Sequence, residues 1–338
     1  MERREFLKRI AAAGIGFAGT CASGELFLPF AHAVEIRSFS FAHIADLHLD
    51  VRGESTWQYR EKSVALFIEA LRQVGRLPKL NFIVFGGDQI QPGPNARESL
   101  TVFQTWLEQI SVPSYILLGN AEVSPPPGSK PGRDDYLRAW SGRGPRPGRS
   151  SWAFDPAPGV RFIGFDATVD GRPYGEAAPA GLRWLERELA ANRDKRLIII
   201  ALHHLLLPTT PQDLTPGWAL WMVKNHAAVR GLLDRFPNVR LVISGHHHAS
   251  HVETVGRITY VADPAIVTYP CAFRVFTIGR EGIHLQNIGL DDKTLVSRAR
   301  ELLIADPFAG MYDAENPQNV LSYTVGLREQ DREAVIPL

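Results

Sequence analysis

An α/β domain with mixed sheets is the fold this sequence predicts, on three observations. Short apolar runs alternate with segments of helical spacing between residues 38 and 244. After His251 that alternation gives way to consecutive short strands with glycine turns at Gly256 and Gly279, which adds antiparallel pairing. Five of the apolar runs end in clusters of Gly, Asp, Asn and His, and strand ends on one sheet edge are where α/β proteins build sites.

The first thirty-three residues read as an address. Arg3-Arg4-Glu5-Phe6-Leu7-Lys8 precedes a stretch rich in Ala and Gly from Ile10 to Ala22, and Ala31-His32-Ala33 supplies an A-x-A exit. Charged start, apolar middle and small-residue exit are the three parts of an export signal. The arginine pair followed by Phe-Leu-Lys resembles a twin-arginine signal, without the usual Ser or Thr before the pair. The expectation is cleavage near Ala33, passage through the twin-arginine machinery after folding, and a periplasmic or secreted product. Cys21 is placed for lipidation, but Thr20 fits that motif poorly. Taking four basic residues (Arg3, Arg4, Lys8, Arg9) from 37 and three acidic ones (Glu2, Glu5, Glu25) from 36 leaves 33 of each, a formally neutral product.

The strands and helices follow in turn. Ser38–Asp46 is an apolar run with a polar end, and Arg60–Arg76 carries Val64, Phe67, Ile68 and Leu71 at helical spacing. Phe82–Phe85 is a second strand, Arg97–Ile110 a second helix and Ser114–Leu118 a third strand. Val160–Phe165 (strand), Ala180–Asn192 (helix), Leu197–Leu202 (strand), Trp218–Phe236 (helix) and Val239–Ser244 (strand) continue the pattern, and a last helix covers Lys293–Leu303. Two loops rich in proline, Val123–Ser150 and Leu205–Gly217, lie beside the polar strand ends, where long loops shape access.

Composition narrows the function. With 37 basic against 36 acidic residues, nothing in the charge argues for nucleic-acid binding. No apolar stretch of 18 residues occurs beyond the first 33, which argues against an integral membrane domain. Two cysteines, Cys21 and Cys271, exclude a disulfide scaffold and a thiolate metal cluster.

The five clusters are Asp46-Leu47-His48, Gly86-Gly87-Asp88, Gly119-Asn120, His203-His204 and Gly245-His246-His247-His248. Side chains two apart on a strand share a face, so Asp46 and His48 converge, as do His246 and His248. The glycines before Asp88 permit a tight strand exit. Six of the eleven histidines fall at 203–204 and 246–251. Imidazoles, carboxylates and an amide without thiolate suit Mn, Fe, Zn or Co. Seven such ligands are too many for one tetrahedral ion and natural for two ions about 3.5–4 Å apart. Two dications outweigh Asp46 and Asp88, so a cationic pit would draw an anionic substrate.

The order Asp-x-His, Gly-Asp, Gly-Asn, His, Gly-His-x-His resembles the calcineurin-like metallophosphoesterases, and within them the small bacterial branch similar to cyclic-nucleotide phosphodiesterases. The resemblance runs from Phe41 to Gly289. It implies a four-layer α/β/β/α sandwich at 34–290, between the export signal at 1–33 and a C-terminal helix and tail at 291–338. It further implies that Asp46, His48 and His248 hold one metal, that Asn120, His203 and His246 hold the other, and that Asp88 bridges. Asn120 would also meet substrate. His203 rather than His204 is chosen because the family's fourth motif resembles His-x-Pro with the ligand first, although Leu205 replaces the proline here.

The family usually has a histidine directly after the asparagine, associated with the transferring phosphoryl group or leaving oxygen. Here that position is Ala121. General acid catalysis contributes about 10²–10⁴-fold, so Glu122 and His204 stand as replacement acids by position, with His247 and His251 behind them. The resulting expectation is a two-metal phosphoesterase in which metal-held hydroxide attacks the phosphorus of a phosphodiester or phosphomonoester. The rival readings are a metal-binding protein or sensor whose hydrolysis is impaired at Ala121, and a zinc amidohydrolase-like enzyme on another scaffold. The oligomeric state is left open.

Overall fold

The computed structural model describes residues 36–125, 128–215 and 220–338, together with a two-residue antiparallel pairing of β1 (Gly19–Thr20) with β2 (Leu26–Phe27). Apart from that pairing, the expected export signal, with Cys21 and the cleavage site near Ala33, lies outside the described residues.

Residues 36–338 form one unit with two six-stranded sheets. In the first, β3 (Phe39–Ile44), β4 (Phe82–Phe85) and β5 (Ser114–Ile116) are parallel. β12 (Ala272–Ile278), β13 (Ile283–Gly289) and β14 (Glu333–Ile336) extend it antiparallel from β3. In the second, β7 (Val160–Gly164), β8 (Leu197–Ala201), β9 (Val239–Ser244) and β11 (Ile258–Ala262) are parallel. β6 (Trp152–Ala157) and β10 (His251–Val255) pair antiparallel at its two edges.

Both faces of each sheet are covered, which is why the parallel strands read as continuous apolar runs. Phe41, Phe82, Phe162, Ile199, Leu241 and Phe276 pack between the sheets, with Phe41 stacked on Phe82 and on Phe276 at 4.9 Å. The outer face of the first sheet, with Ala42, Ile44 and Ile83, meets α1 (Ser63–Arg76), α2 (Ala96–Gln109) and, at Ala299, α7 (Lys293–Ala305). The outer face of the second, with Ile198 and Ile200, meets Leu185 and Leu189 of α5 (Pro179–Ala191) and Val229 and Leu233 of α6 (His226–Leu233). The expected α/β/β/α sandwich is the architecture observed.

Four local expectations change. The segment 251–285 is two hairpins rather than one meander: β10–β11 belongs to the second sheet and β12–β13 to the first. The helix expected at Trp218–Phe236 shortens to α6. Residues 222 and 223 run extended instead, bridging Leu205 and Gly175, because the apolar side chains of Trp221 and Met222 pack against Leu205 and Ala262. The loop 123–150 contains two further helices, the end of α3 (Asn120–Val123) and α4 (Arg133–Ala139), which buries Tyr136, Leu137 and Trp140. β6 escapes the periodicity because Pro156 lies inside it. It is an edge strand with a register shift between Phe154 and Ala157, the setting that tolerates proline.

Candidate metal centre

All five clusters lie where a strand of the inter-sheet core runs out. The strand tips are held to one another: the Asp46 amide donates to the Gly87 carbonyl (3.1 Å), that of His48 to Asp88 (2.9 Å), and that of Gly245 to His203 (3.1 Å). The sheets therefore deliver their polar ends to one place.

Two groups of ligating atoms result, each within 4.8 Å mutually: Asp46, His48 and His248 in one, and Asp88, His203 and His246 in the other. Asp88 touches both. Its Oδ2 lies 3.4 Å from His48 Nε2 and its Oδ1 lies 3.3 Å from His203 Nε2. Asn120 Oδ1 is 3.1 Å from the same His203 nitrogen, and His248 Nε2 is 3.4 Å from Asp46 Oδ1. A tetrahedron with bonds of about 2.1 Å has edges of about 3.4 Å, so these separations are those of atoms around a shared ion.

Hydrogen bonds to the opposite ring nitrogens fix which imidazole atom faces inward. Nδ1 of His48 pairs with Gln91 Oε1 (2.9 Å), Nδ1 of His203 with the Gly86 carbonyl (2.9 Å), and Nδ1 of His248 with the Thr268 hydroxyl. In His246 the ring is reversed, since Nε2 pairs with the Leu220 carbonyl at 3.1 Å and Nδ1 is left for the site. Such outer partners set tautomer and orientation in metal sites. Asp46 Oδ2 accepts the His246 backbone N–H at 2.9 Å, while its Oδ1 is buried with no hydrogen-bond partner, as is His48 Nε2. Buried acceptors are rarely left so. The orphaned atoms, the separations and the N/O donor set together fit a pair of divalent cations.

The electrostatics agree. Burial would raise Asp88, but the imidazoles of His203, His48 and His246 hold its carboxyl well below the usual range. Burial would lower His203, but Asp88 lifts it to about 9. Burial lowers His48 and His246, with neighbouring imidazoles adding to the effect.

The backbone carries a further signature. Six described non-glycine residues have φ in the left-handed region, and five are candidate ligands: Asp46, His48, Asp88, His246 and His248. Such conformations cost about 1 kcal/mol or more each and gather at functional sites.

The acid candidates occupy other positions. Glu122 is buried, and its carboxylate accepts the backbone N–H groups of Asp88 (3.1 Å), Gln89 (2.8 Å), Ile90 (3.0 Å) and Gly119 (2.8 Å). It braces the two loops that present Asp88 and Asn120. Burial and the Asp88 charge push its carboxyl up to about 7, against the pull of the Ile90 and Gly119 amides. His204 points to the Pro173 carbonyl through Nε2 (3.0 Å), and burial beside His203 drives it down to about 3. His247 Nε2 lies 3.2 Å from Asp213, and its ring stacks on Tyr312. His251 lies 3.8 Å from Asp331 and 3.9 Å from Glu253. Ala121 is buried, and its N–H donates to Asp88 Oδ1 at 2.7 Å. Cys271, the only cysteine among the described residues, packs in the core under the first sheet's helices.

A cavity of about 240 Å³ opens on the clusters, and Trp57, Gln58, Pro173, Leu220, Trp221, Phe308 and Met311 line it beside the candidate ligands. None of these seven was marked by the sequence. Phe308 and Met311 come from the C-terminal segment, to which the sequence assigned no chemistry, and no periodicity or motif marks them.

The family model for calcineurin-like phosphoesterases matches residues 39–250. The chain belongs to that family. A 3',5'-cyclic-nucleotide phosphodiesterase of Nostoc is 25% identical over 230 residues, covering 67% of this chain and 77% of the relative. The 3',5'-cyclic adenosine monophosphate phosphodiesterase CpdA of Escherichia coli K12 is 27% identical over 236 residues, covering 66% and 73%. A dimetal phosphatase from Danio rerio has the same fold, with a TM-score of 0.60 at 20% identity over 74% of this chain and 96% of that one. With its paired ligand clusters, this calcineurin-like phosphoesterase is a metal-dependent phosphoric ester hydrolase. Among the described residues, no helix is long and apolar enough to cross a membrane.

Proposed function

We propose that this chain hydrolyses phosphodiesters at a dinuclear centre, after export to the periplasm or the cell exterior. The observation that carries the reading is Asp88, one carboxylate with an oxygen turned toward each ligand group. Asp46, His48 and His248 would hold one ion, Asn120, His203 and His246 the second, and Asp88 would face both. The donor set suits Mn, Fe, Zn or Co. Such a pair would supply an acidified water and charge neutralisation at the phosphoryl oxygens.

The chain's own residues do the rest. Gln91, Thr268 and the Gly86 and Leu220 carbonyls hold the imidazoles in register. Glu122 fixes the Asp88 and Asn120 loops against each other. Asn120 reaches the boundary between cluster and cavity, where a phosphoryl oxygen would arrive. A diester is favoured over a monoester because no Lys or Arg is among the described residues lining the cavity, so a monoanion is better matched than a dianion. The names of the Nostoc and Escherichia coli relatives support the same choice. The residues from Arg3 to Ala33 support export, and processing by a twin-arginine-competent host would show it as a shortened periplasmic product.

The test is to load the full chain with Mn and assay bis(4-nitrophenyl) phosphate, 4-nitrophenyl phosphate and cyclic nucleotides. Turnover of the diesters above the monoester is expected. Two bound ions with no turnover of any ester would favour the sensor reading instead.

A further inference from the structure

Trp57, Phe308 and Trp221 form a continuous aromatic arch over both ligand clusters. Trp57 lies 4.8 Å from the His248 ring, and Trp221 lies 5.0 Å from the His246 ring. Phe308 joins them, stacked on Trp57 at 3.9 Å and 6° and meeting Trp221 edge-on at 5.9 Å. Met311 extends the same wall. Phe308 and Met311 lie beyond residues 39–250, which the family model matches, so part of the arch comes from outside the matched segment. Trp57, Phe308 and Met311 are only half-buried, which leaves apolar surface for a ligand.

Among the described residues, the cavity also shows no acid outside the ligand clusters. Among the described residues lining the cavity, the titratable ones are His48, Asp88, His246 and His248, all of them in the ligand clusters. Ala121 has no side-chain proton to give. The Glu122 carboxylate is taken up by four N–H groups, and His204 Nε2 by a carbonyl. An alkoxide therefore has no group among the described residues to protonate it as it departs, whereas a phenolate or enolate leaves without one.

We infer that the substrate is a phosphodiester whose leaving alcohol is planar, apolar and acidic, a phenol or enol, seated under the Trp57–Phe308–Trp221 arch. This rests on the phosphodiesterase reading above and narrows it. The balance of the step is simple. An oxygen from water bonds to phosphorus, the bond from phosphorus to the aryl or enol oxygen breaks, and the electron pair stays on that oxygen. The displaced proton of the water passes to solvent.

Two measurements on the Mn-loaded full chain test this. Calorimetric titration with phenylphosphonate and methylphosphonate, neither of which can be hydrolysed, reads the arch. The wild type is expected to prefer the phenyl compound, and Phe308→Ala to lower that preference about tenfold. Phe308→Leu, which keeps apolar bulk, guards against a folding artefact and is expected to fall between the two. A series of methyl aryl phosphates of rising phenol pKa, ended by dimethyl phosphate, reads the leaving group. kcat/KM is expected to drop steeply along the series, with the alkyl ester losing a further 10²–10⁴-fold, roughly what an absent general acid would have supplied. Equal affinity for the two phosphonates, or a flat leaving-group series, overturns the inference while leaving the phosphodiesterase reading intact. Inertness toward every ester, with phenylphosphonate still preferred, overturns the parent reading instead.

Discussion

The metal pit and the arch above it are built in opposite ways. The pit collects seven side chains from five strand ends, with five of its residues in left-handed backbone and its imidazoles held by outer hydrogen bonds. The arch collects three half-buried or edge-placed aromatic rings from the loop after β3, the loop before α6 and the short turn after α7. The pit is over-determined and the arch is assembled from single contacts. On the function proposed here, reaction chemistry resides where the most contacts fix the backbone, and choice of substrate where the fewest do.

The comparison can be broken from either side. The largest effect is expected from Asp88→Ala, which removes the one carboxylate common to both groups. Activity should fall by at least about 10³-fold, with metal content dropping below two ions per chain by elemental analysis. Full metal content with retained turnover would remove Asp88 from its bridging place. Gly119→Ala comes next. A Cβ there would lie 2.1 Å from Asp88 Oδ1 and 2.3 Å from the Asp88 amide nitrogen, so the carboxylate must move. A displacement of that size costs about 10²-fold in kcat, and it should do so on every substrate alike. Gln91→Ala leaves all seven ligands and frees His48 Nδ1. Metal affinity measured by competition with a chelator should weaken about 10–100-fold, and an unchanged affinity would mean that His48 is oriented by packing alone.

The smallest effect lies outside both regions. Arg133 donates to Asp166 at 2.6 Å and ties the first residue of α4 to the segment after β7. Burial opposes ionisation of Asp166, but Arg133 and neighbouring hydroxyls hold its carboxyl below the usual range. Because the folded value is the lower one, this support is complete above the ordinary Asp value of about 3.9 and fades as pH falls through the depressed value. Arg133→Met should lower stability by about 2 kcal/mol at neutral pH and by less in acid, read by denaturant unfolding at pH 7 and pH 3. Equal losses at both would show that the arginine stem, not the charge, does the holding.

The pit was legible in the sequence because its ligands follow strands whose two buried faces make them conspicuous, and because chain order places the polar ends together. Strand alternation gives a physical reason to prefer His203 to His204. Ala201 faces the inter-sheet core and Leu202 the helices, so the next inward position is His203, which meets Asp88 and Asn120. The acid candidates show the limit of position alone. Glu122 follows Asn120 closely, yet nothing in its neighbours reveals that four amides converge on it. The arch was not legible at all. Trp221 sits in a stretch whose apolar spacing suits a helix, Trp57 follows β3 without a pattern, and Phe308 is far along the chain in a segment of weak periodicity. Their meeting is a product of tertiary packing, which no local signal carries.

The left-handed backbone at Asp46, His48, Asp88, His246 and His248 bears on what happens when one ion replaces another. A socket whose walls are already bent into place has little slack left to widen or shrink. Mn and Zn should then be received in nearly one mould, and their unequal radii should surface as different turnover numbers rather than as different protein shapes.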